Sequence, residues 1–240
     1  GTLEVDNIVN ASEDDTVVAS GTTTGVEDGQ TVTVVFTDGS NATVTATTTV
    51  STNAWTLTGS EADISGLDNG TITITANVSD VAGNAASQAS KTITLDNVAP
   101  SAPSNAIDLA DGSDTGGSNS DNKTNDTTPT VRVDLTGTNA VAGDTLELLL
   151  GGASLSSAVT KTLDSTDISN AYVDLTTGAD LGSDGDKVFT AKVTDVAGNI
   201  GSAGGSLTVT LDTAAPTGLT IDGTLEVDNI VNASEDDTVV

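Results

Sequence analysis

Apolar and polar side chains alternate in short blocks along this chain, and the alternation predicts strands. In the first half, Val32, Val34 and Phe36 share one side of a period-two pattern, as do Ile72, Ile74 and Ala76, and Ile93 with Leu95. In the second half the matching sets are Val131, Val133 and Leu135; Leu146, Leu148 and Leu150; Phe189, Ala191 and Val193; and Leu207, Val209 and Leu211. Such strands have one face for a core and one for water. Gly, Asn and Asp bound the blocks and supply turns, and no window of helical length shows a 3.6-residue period. The expectation is an all-β fold of packed sandwiches. Large side chains are few. Phe36, Trp55 and Leu57 serve the first half and Tyr172 and Phe189 the second; Trp55, two positions from Leu57, is expected in the core.

The blocks belong to a repeat. Residues 1–18 recur unchanged at 223–240, a shift of 222, so the chain holds one full period of a tandem array and the start of the next. Within the period lie two related units. Ser79-Asp80-Val81-Ala82-Gly83-Asn84 returns as Thr194-Asp195-Val196-Ala197-Gly198-Asn199, a shift of 115. Leu95-Asp96-Asn97-Val98-Ala99-Pro100 returns as Leu211-Asp212-Thr213-Ala214-Ala215-Pro216. Proline lacks a backbone donor and holds its predecessor extended, which suits a stiff linker. The boundaries follow: a first unit at 1–100, a second at 101–216, and the beginning of another at 217–240. Gly218-Leu219-Thr220-Ile221-Asp222 reads as a first strand with no counterpart before Gly1, so the first unit is expected to lack its own. Either the sequence cuts arbitrarily through a continuous rod, or one chain's tail completes the next chain's first sandwich by strand addition.

Charge narrows the function. The 240 residues carry 35 acids against 6 bases, a net charge of −29, with no His, Cys or Met. That field disfavours nucleic acid and anionic membrane as partners, and no apolar run is long enough to span a bilayer. Thiolate and imidazole catalysis, disulfides and the usual zinc sites are excluded. Paired carboxylates could serve glycoside hydrolysis, but no aromatic lining accompanies them, and the chain is read as non-enzymatic. A metal would have to be held by oxygen alone, which points to calcium.

The acids are bunched. Residues 1–90 hold twelve of them and no Lys or Arg. Asp6, Glu13, Asp14 and Asp15 flank Asn7 and Asn10; Asp108, Asp111, Asp114, Asp121 and Asp126 have Lys123 for company; Asp80 with Asn84 and Asp96 returns as Asp195 with Asn199 and Asp212. Two carboxylates ~4 Å apart repel by about 4 kcal/mol at an effective dielectric of about 20. Either they splay into water or a divalent cation sits among them. No contiguous calcium loop of the EF-hand or nonapeptide-roll kind occurs, so sites would be assembled from separate loops. The candidate calcium ligands are Asp6, Asn7, Asn10, Glu13, Asp80, Asn84, Asp96, Asp111, Asp121, Asp126, Asp195, Asn199 and Asp212, with Asp222, Asp228 and Glu235 in the tail.

Unit one, with Asp6-Asn7-Ile8-Val9-Asn10, Ser20-Gly21-Thr22-Thr23, Gly25-Val26-Glu27-Asp28-Gly29-Gln30-Thr31-Val32 and Asp80-Val81-Ala82-Gly83-Asn84, resembles a bacterial immunoglobulin-like repeat. Unit two, with Thr124-Asn125-Asp126-Thr127-Thr128-Pro129-Thr130-Val131, Ala142-Gly143-Asp144-Thr145 and Ala191-Lys192-Val193-Thr194-Asp195-Val196-Ala197-Gly198-Asn199, resembles a related subtype. The resemblance implies tandem immunoglobulin-like sandwiches set end to end. It implies the extender region of a large surface adhesin of the RTX or biofilm kind, exported by type I secretion, with calcium stiffening the domain junctions. By position, Asp96 and Asp212 would meet Asp80 and Asp195. The following domain's first loop would add Asp121 or Asp126 at the first junction, and Asp228 or Glu235 at the second. The partners so implied are neighbouring identical repeats, with head-to-tail self-association open. A self-assembling extracellular filament or surface layer, and a glycan- or protein-binding module, are the alternative functions.

Overall fold

The computed structural model describes residues 7–104 and 107–220. Unit one runs β1 (Ile8–Val9), β2 (Ser20–Thr22), β3 (Thr31–Thr37), β4 (Thr43–Thr49), β5 (Ala54–Thr56), β6 (Gly70–Asn77) and β7 (Ala89–Leu95). Its strands form a five-stranded sheet, β1-β7-β6-β3-β4, and a two-stranded sheet, β2-β5. Unit two runs β8 (Asp108–Leu109), β9 (Lys123–Thr124), β10 (Thr130–Asp134), β11 (Thr145–Leu150), β12 (Ala153–Thr162), α1 (Ser165–Asn170), β13 (Tyr172–Thr176), β14 (Gly185–Thr194) and β15 (Gly204–Leu211). It too has a five-stranded sheet, β12-β11-β14-β15-β9, facing a three-stranded one, β13-β10-β8. The fold is all-β, as the alternation implies, and each unit has its own hydrophobic core. Among the described residues no helix is long and apolar enough to cross a membrane.

The alternation reads the cores well. Val32, Val34 and Phe36 are buried while their neighbours on β3 are not, and the β14 and β15 sets behave alike. The β11–β12 register shifts between Leu148 and Leu149, so Leu149 is buried and Leu150 only partly so, a break that strict alternation misses. Trp55 packs against the core of unit one and stays partly exposed, its indole lying over Gly21 of β2, where a Cβ would stand 2.7 Å from the ring. Tyr172 lies on the outer face of β13 with the Arg132 guanidinium 4.1 Å from its ring centre. The short helix α1 has no hydrophobic period to announce it. It forms because Asp164 caps its first turn, accepting from the Thr166 and Asp167 N–H groups, while Asp167 reaches back to the Asp164 N–H.

Two strands set the ends of each unit. Among the described residues all strand pairings are antiparallel except β1 with β7 and β9 with β15. A strand parallel to the last one ends where that strand ends. The loop after β1 (residues 10–14) therefore lies beside the exit of unit one, where the Asp96 N–H donates to the Val9 carbonyl. The loop after β9 lies beside the exit of unit two in the same way, with the Asp212 N–H bonded to Thr124. The entering chain of unit two runs across the start of β15. Pro100 and Pro103 are buried, and a Cβ on Gly201 would meet the Pro100 carbonyl oxygen at 2.5 Å. Only glycine tolerates so close a backbone approach.

Candidate functional site: the junction between the two sandwiches

Asn199 joins the two units. It ends the Asp195–Asn199 turn, where its N–H and its Nδ2 donate to the two Asp195 carboxylate oxygens, each at 2.8 Å. The same Nδ2 donates to the Asp96 carbonyl at 2.7 Å, and its Oδ1 accepts from the Ala11 N–H at 2.8 Å. Asn10 answers from unit one, donating through Nδ2 to the Ala197 carbonyl at 2.9 Å. Asn199 is 5% exposed, so these bonds form away from bulk water. Around them, Glu13 accepts from the Asn10 N–H at 3.0 Å, and the buried Asp14 accepts from Asn97 Nδ2 at 2.8 Å.

The junction thus brings together Asn10, Glu13, Asp96, Asp195 and Asn199 of the sequence-derived set. It differs from the expected set in two respects. Asp96 meets the Asp195 turn of the following unit, whereas Asp80 binds only its own Asn84 and the turn it closes. The acidic loop at this junction is 10–14 of the preceding unit, and Asp121 and Asp126 sit at the far end of unit two. The parallel β1–β7 and β9–β15 pairings cause both differences, since they carry each unit's first acidic loop to its exit. Asp111 is exposed after β8, and Asp212 caps its own linker by accepting from the Ala214 N–H. Asp6, Asp222, Asp228 and Glu235, and the second junction's tail loop, lie outside the described residues.

The exit of unit two holds a second polar cluster. Asp114 is 5% exposed and accepts from the Asn122 N–H through Oδ2 at 3.1 Å, while Ser113 Oγ donates to Asp126 at 3.0 Å. Among the described residues, Asp114 Oδ1 and Asn122 Oδ1 are buried without a hydrogen-bond partner, and so is Oδ1 of Asn7 in unit one. Asn7 and Asn122 occupy equivalent places, each with positive φ and each carbonyl bonded to the last strand, from Thr94 and Thr210 respectively. A buried acceptor without a donor is costly, and hard oxygens of this kind suit calcium. Among the described residues no three acidic side chains converge, so calcium here would draw on amide and backbone oxygens and on water as well as carboxylates. The junction oxygens of Asn10, Asp195 and Asn199 already hold N–H donors and fit a cation less well. Asn122 was not marked by sequence. Its signal was there: Asp6-Asn7-x-x-Asn10 returns as Asp121-Asn122-x-x-Asn125, shifted by the same 115 residues as the Asp80 motif.

Charge compensation is uneven. Arg132 forms a two-pronged ion pair with Asp174 at 2.7 and 2.8 Å, Lys161 binds Asp167 at 2.5 Å and Lys192 binds Glu147 at 3.1 Å, all in unit two. Unit one uses local donors instead. The Asn84 side chain and N–H hold the Asp80 carboxyl below the ordinary carboxylate range. The Asp68 N–H, with Ser40 and Ala42, does the same for Asp38. A lowered folded pKa contributes stability that is present above the unfolded value of about 3.9 and is lost as pH falls through the folded one. The thermal midpoint of unit one is therefore expected to hold from neutral pH to about 5 and to fall below about 4. Asp80→Asn should flatten that fall, and a midpoint that rises on acidification would contradict it.

Residues 101–213 match the family model for a bacterial Ig-like domain, which is all of unit two as its strands define it. The second unit is similar to a bacterial Ig-like domain over its whole length. The sequence matches no curated protein. Among solved structures, the chain is similar to a tetra-tandem repeat in the extending region of a large adhesion protein, at 26% identity over 89% of this chain and 48% of that one, with a TM-score of 0.35. A Ca2+-stabilised adhesin that helps an Antarctic bacterium reach out and bind ice gives 26% identity over 98% of this chain and 53% of that one, TM-score 0.48. A 1.5-MDa bacterial ice-binding adhesin gives 22% over 88% and 60%, TM-score 0.43. The chain thus spans about half the length of the first two structures. Beside unit two, unit one has the same order in its five-stranded sheet and the same pair of exit strands.

Proposed function

We propose that this chain is a non-enzymatic extender segment of a secreted, repetitive bacterial surface adhesin, projecting an adhesive tip outward from the cell. The observation that carries the reading is Asn199, whose one amide holds its own turn, the Asp96 linker and the Ala11 backbone of the neighbouring unit. A linker fixed from both sides cannot bend as a free peptide does. Repeated every 222 residues, such junctions would turn flexible beads into a rod. Calcium is proposed to reinforce it through Asp114 and Asn122 at the exit of unit two and Asn7 at the exit of unit one. So few carboxylates imply weak sites, on the order of 10⁻⁴–10⁻³ M, the range of extracellular modules.

The test is small-angle scattering of the chain with Asn199→Ala, beside Asn84→Ala in the equivalent but exposed turn of unit one. Asn199→Ala should shorten the largest dimension and broaden its distribution while leaving the two unfolding midpoints within about 1 kcal/mol of their original stability. Asn84→Ala should leave the dimensions unchanged. Equal dimensions for the parent and Asn199→Ala would remove the basis for a stiffened extender.

A further inference from the structure

The turn that enters β6 in unit one and the turn that enters β14 in unit two hold the same place. Gly70 stands opposite Leu95 and Gly185 opposite Leu211, each with a φ of 123°. That backbone calls for glycine, so the fold fixes the second residue of the turn and leaves the first free to vary. Unit two has Asp184 there, and unit one has Asn69. Asp184 accepts through Oδ1 from the Thr213 N–H at 3.0 Å and from its hydroxyl at 2.8 Å, which hold the carboxyl below the ordinary carboxylate range. Asn69 accepts through Oδ1 from the N–H of Asn97, the counterpart of Thr213, at 3.2 Å. Its Nδ2 donates to Asp96 Oδ1 at 3.4 Å, and Asn97 in turn donates to Asp14 at 2.8 Å. The two exits share one geometry and differ in charge at this position.

Asn69-Gly70 is the single Asn-Gly pair of the 240 residues, and both members are exposed. Glycine has no Cβ to shield its nitrogen, which can therefore reach the side-chain amide before it. We propose that Asn69 deamidates in the folded protein and gives the exit of unit one the carboxylate that unit two carries from its sequence. The Gly70 nitrogen attacks Asn69 Cγ; the N–Cγ bond forms, the Cγ–Nδ2 bond breaks, and ammonia leaves with the proton of the Gly70 N–H. Solvent water then opens the imide ring at either carbonyl and leaves aspartate or isoaspartate at position 69. Nothing is oxidised or reduced. Unit two shows how the linker accommodates the aspartate. Asp212 Oδ1 accepts from the Ala214 N–H at 3.1 Å, and Asp96 Oδ1 already lies 3.5 Å from the equivalent Val98 nitrogen. Loss of the Nδ2 donor sets two carboxylates side by side at the linker, where they repel. The fold governs the rate. On β7 the Thr94 and Asp96 N–H groups bond to β1 residues and their flank, so Leu95 faces β6 and holds the Gly70 N–H. The nitrogen is released when this last pair of the ladder opens, and strand ends open at little cost.

The test follows the parent chain and Asn69→Gln at mildly alkaline pH, folded and in denaturant, by anion exchange and by mass mapping of peptides. The folded parent should release ammonia and accumulate a more acidic form whose change maps to position 69, at a rate within about tenfold of the denatured chain. Asn69→Gln should give no such form, because its longer side chain closes a ring far more slowly. Asn119, which precedes Ser120 in an exposed loop, should convert after Asn69, since serine carries a Cβ. A folded parent that keeps its amide at 69, that converts more slowly than this bound, or that converts first at Asn119 would overturn the inference. The acidic form and Asn69→Asp should both show a lower Trp55 midpoint than the parent at low salt, a gap that closes at high salt. Midpoints equal to the parent's at low salt would contradict the placing of new charge beside Asp96.

Discussion

A chain carrying Phe36→Ala is expected to lose about 3–5 kcal/mol from unit one and to unfold in two separate steps. Phe36 is wholly buried on β3, opposite Ile74 on β6 and Val44 on β4. The rest of that core is Val, Ile, Leu and Ala, which are held by their strands and cannot close over the space a phenyl ring leaves. Small domains of this size are stable by about 5–15 kcal/mol, so the loss takes a large share of the total. Unit two has a separate core around Phe189 and should keep its own midpoint. The chain supplies its own reporters, since its one Trp, Trp55, packs against the core of unit one and its one Tyr, Tyr172, lies on β13 of unit two. Tryptophan fluorescence should move to lower temperature while the tyrosine signal stays. Both signals moving together would mean that the two sandwiches fold as one.

Removing calcium is expected to have the next largest effect. An ion that binds only the folded state contributes RT ln(1 + [Ca]/Kd), about 2.7 kcal/mol per site at a free concentration about 100 times Kd. Asp114 and Asn122 leave two buried oxygens without donors, so Asp114→Asn should remove most of the calcium response of unit two. The ion pairs of Arg132, Lys161 and Lys192 give unit two some independence, though the exposed Arg132–Asp174 pair contributes only about 0–1 kcal/mol. Unit one has twelve acids before its first base, Lys91, and should lose more when the ion is withdrawn. Monovalent salt should restore part of that loss by screening, while magnesium should restore little at the site itself, because it demands a tight octahedron and keeps its waters.

Much of the fold was legible because strand burial follows a two-residue period. Val131 and Val133, or Leu207 and Val209, declare their faces without reference to anything distant. Trp55 does pack against the core of unit one, but how far its ring is covered depends on Gly21 of a different strand, which the period of β5 alone does not show. The site was legible as composition and as local motifs: Asp195 and Asn199 are four residues apart and bond each other. Which motif faces which linker was not, because two-residue parallel pairings at β1 and β9 decide it, and strands so short leave no period to read. Asn7 stands out among its acidic neighbours and Asn122 through the return of that motif 115 residues on, whereas the positive φ and the buried oxygen of each show only in the structure.

The most direct test of the account is thermal unfolding of the chain in excess calcium, in excess chelator, and in magnesium at the same ionic strength. A rise in both midpoints with calcium that magnesium does not reproduce, larger for the Trp55 signal than for the Tyr172 signal, is the expected result. Midpoints that coincide in all three solutions would mean that the acidic clusters are simply solvated, and the calcium-stiffened rod would have to be given up.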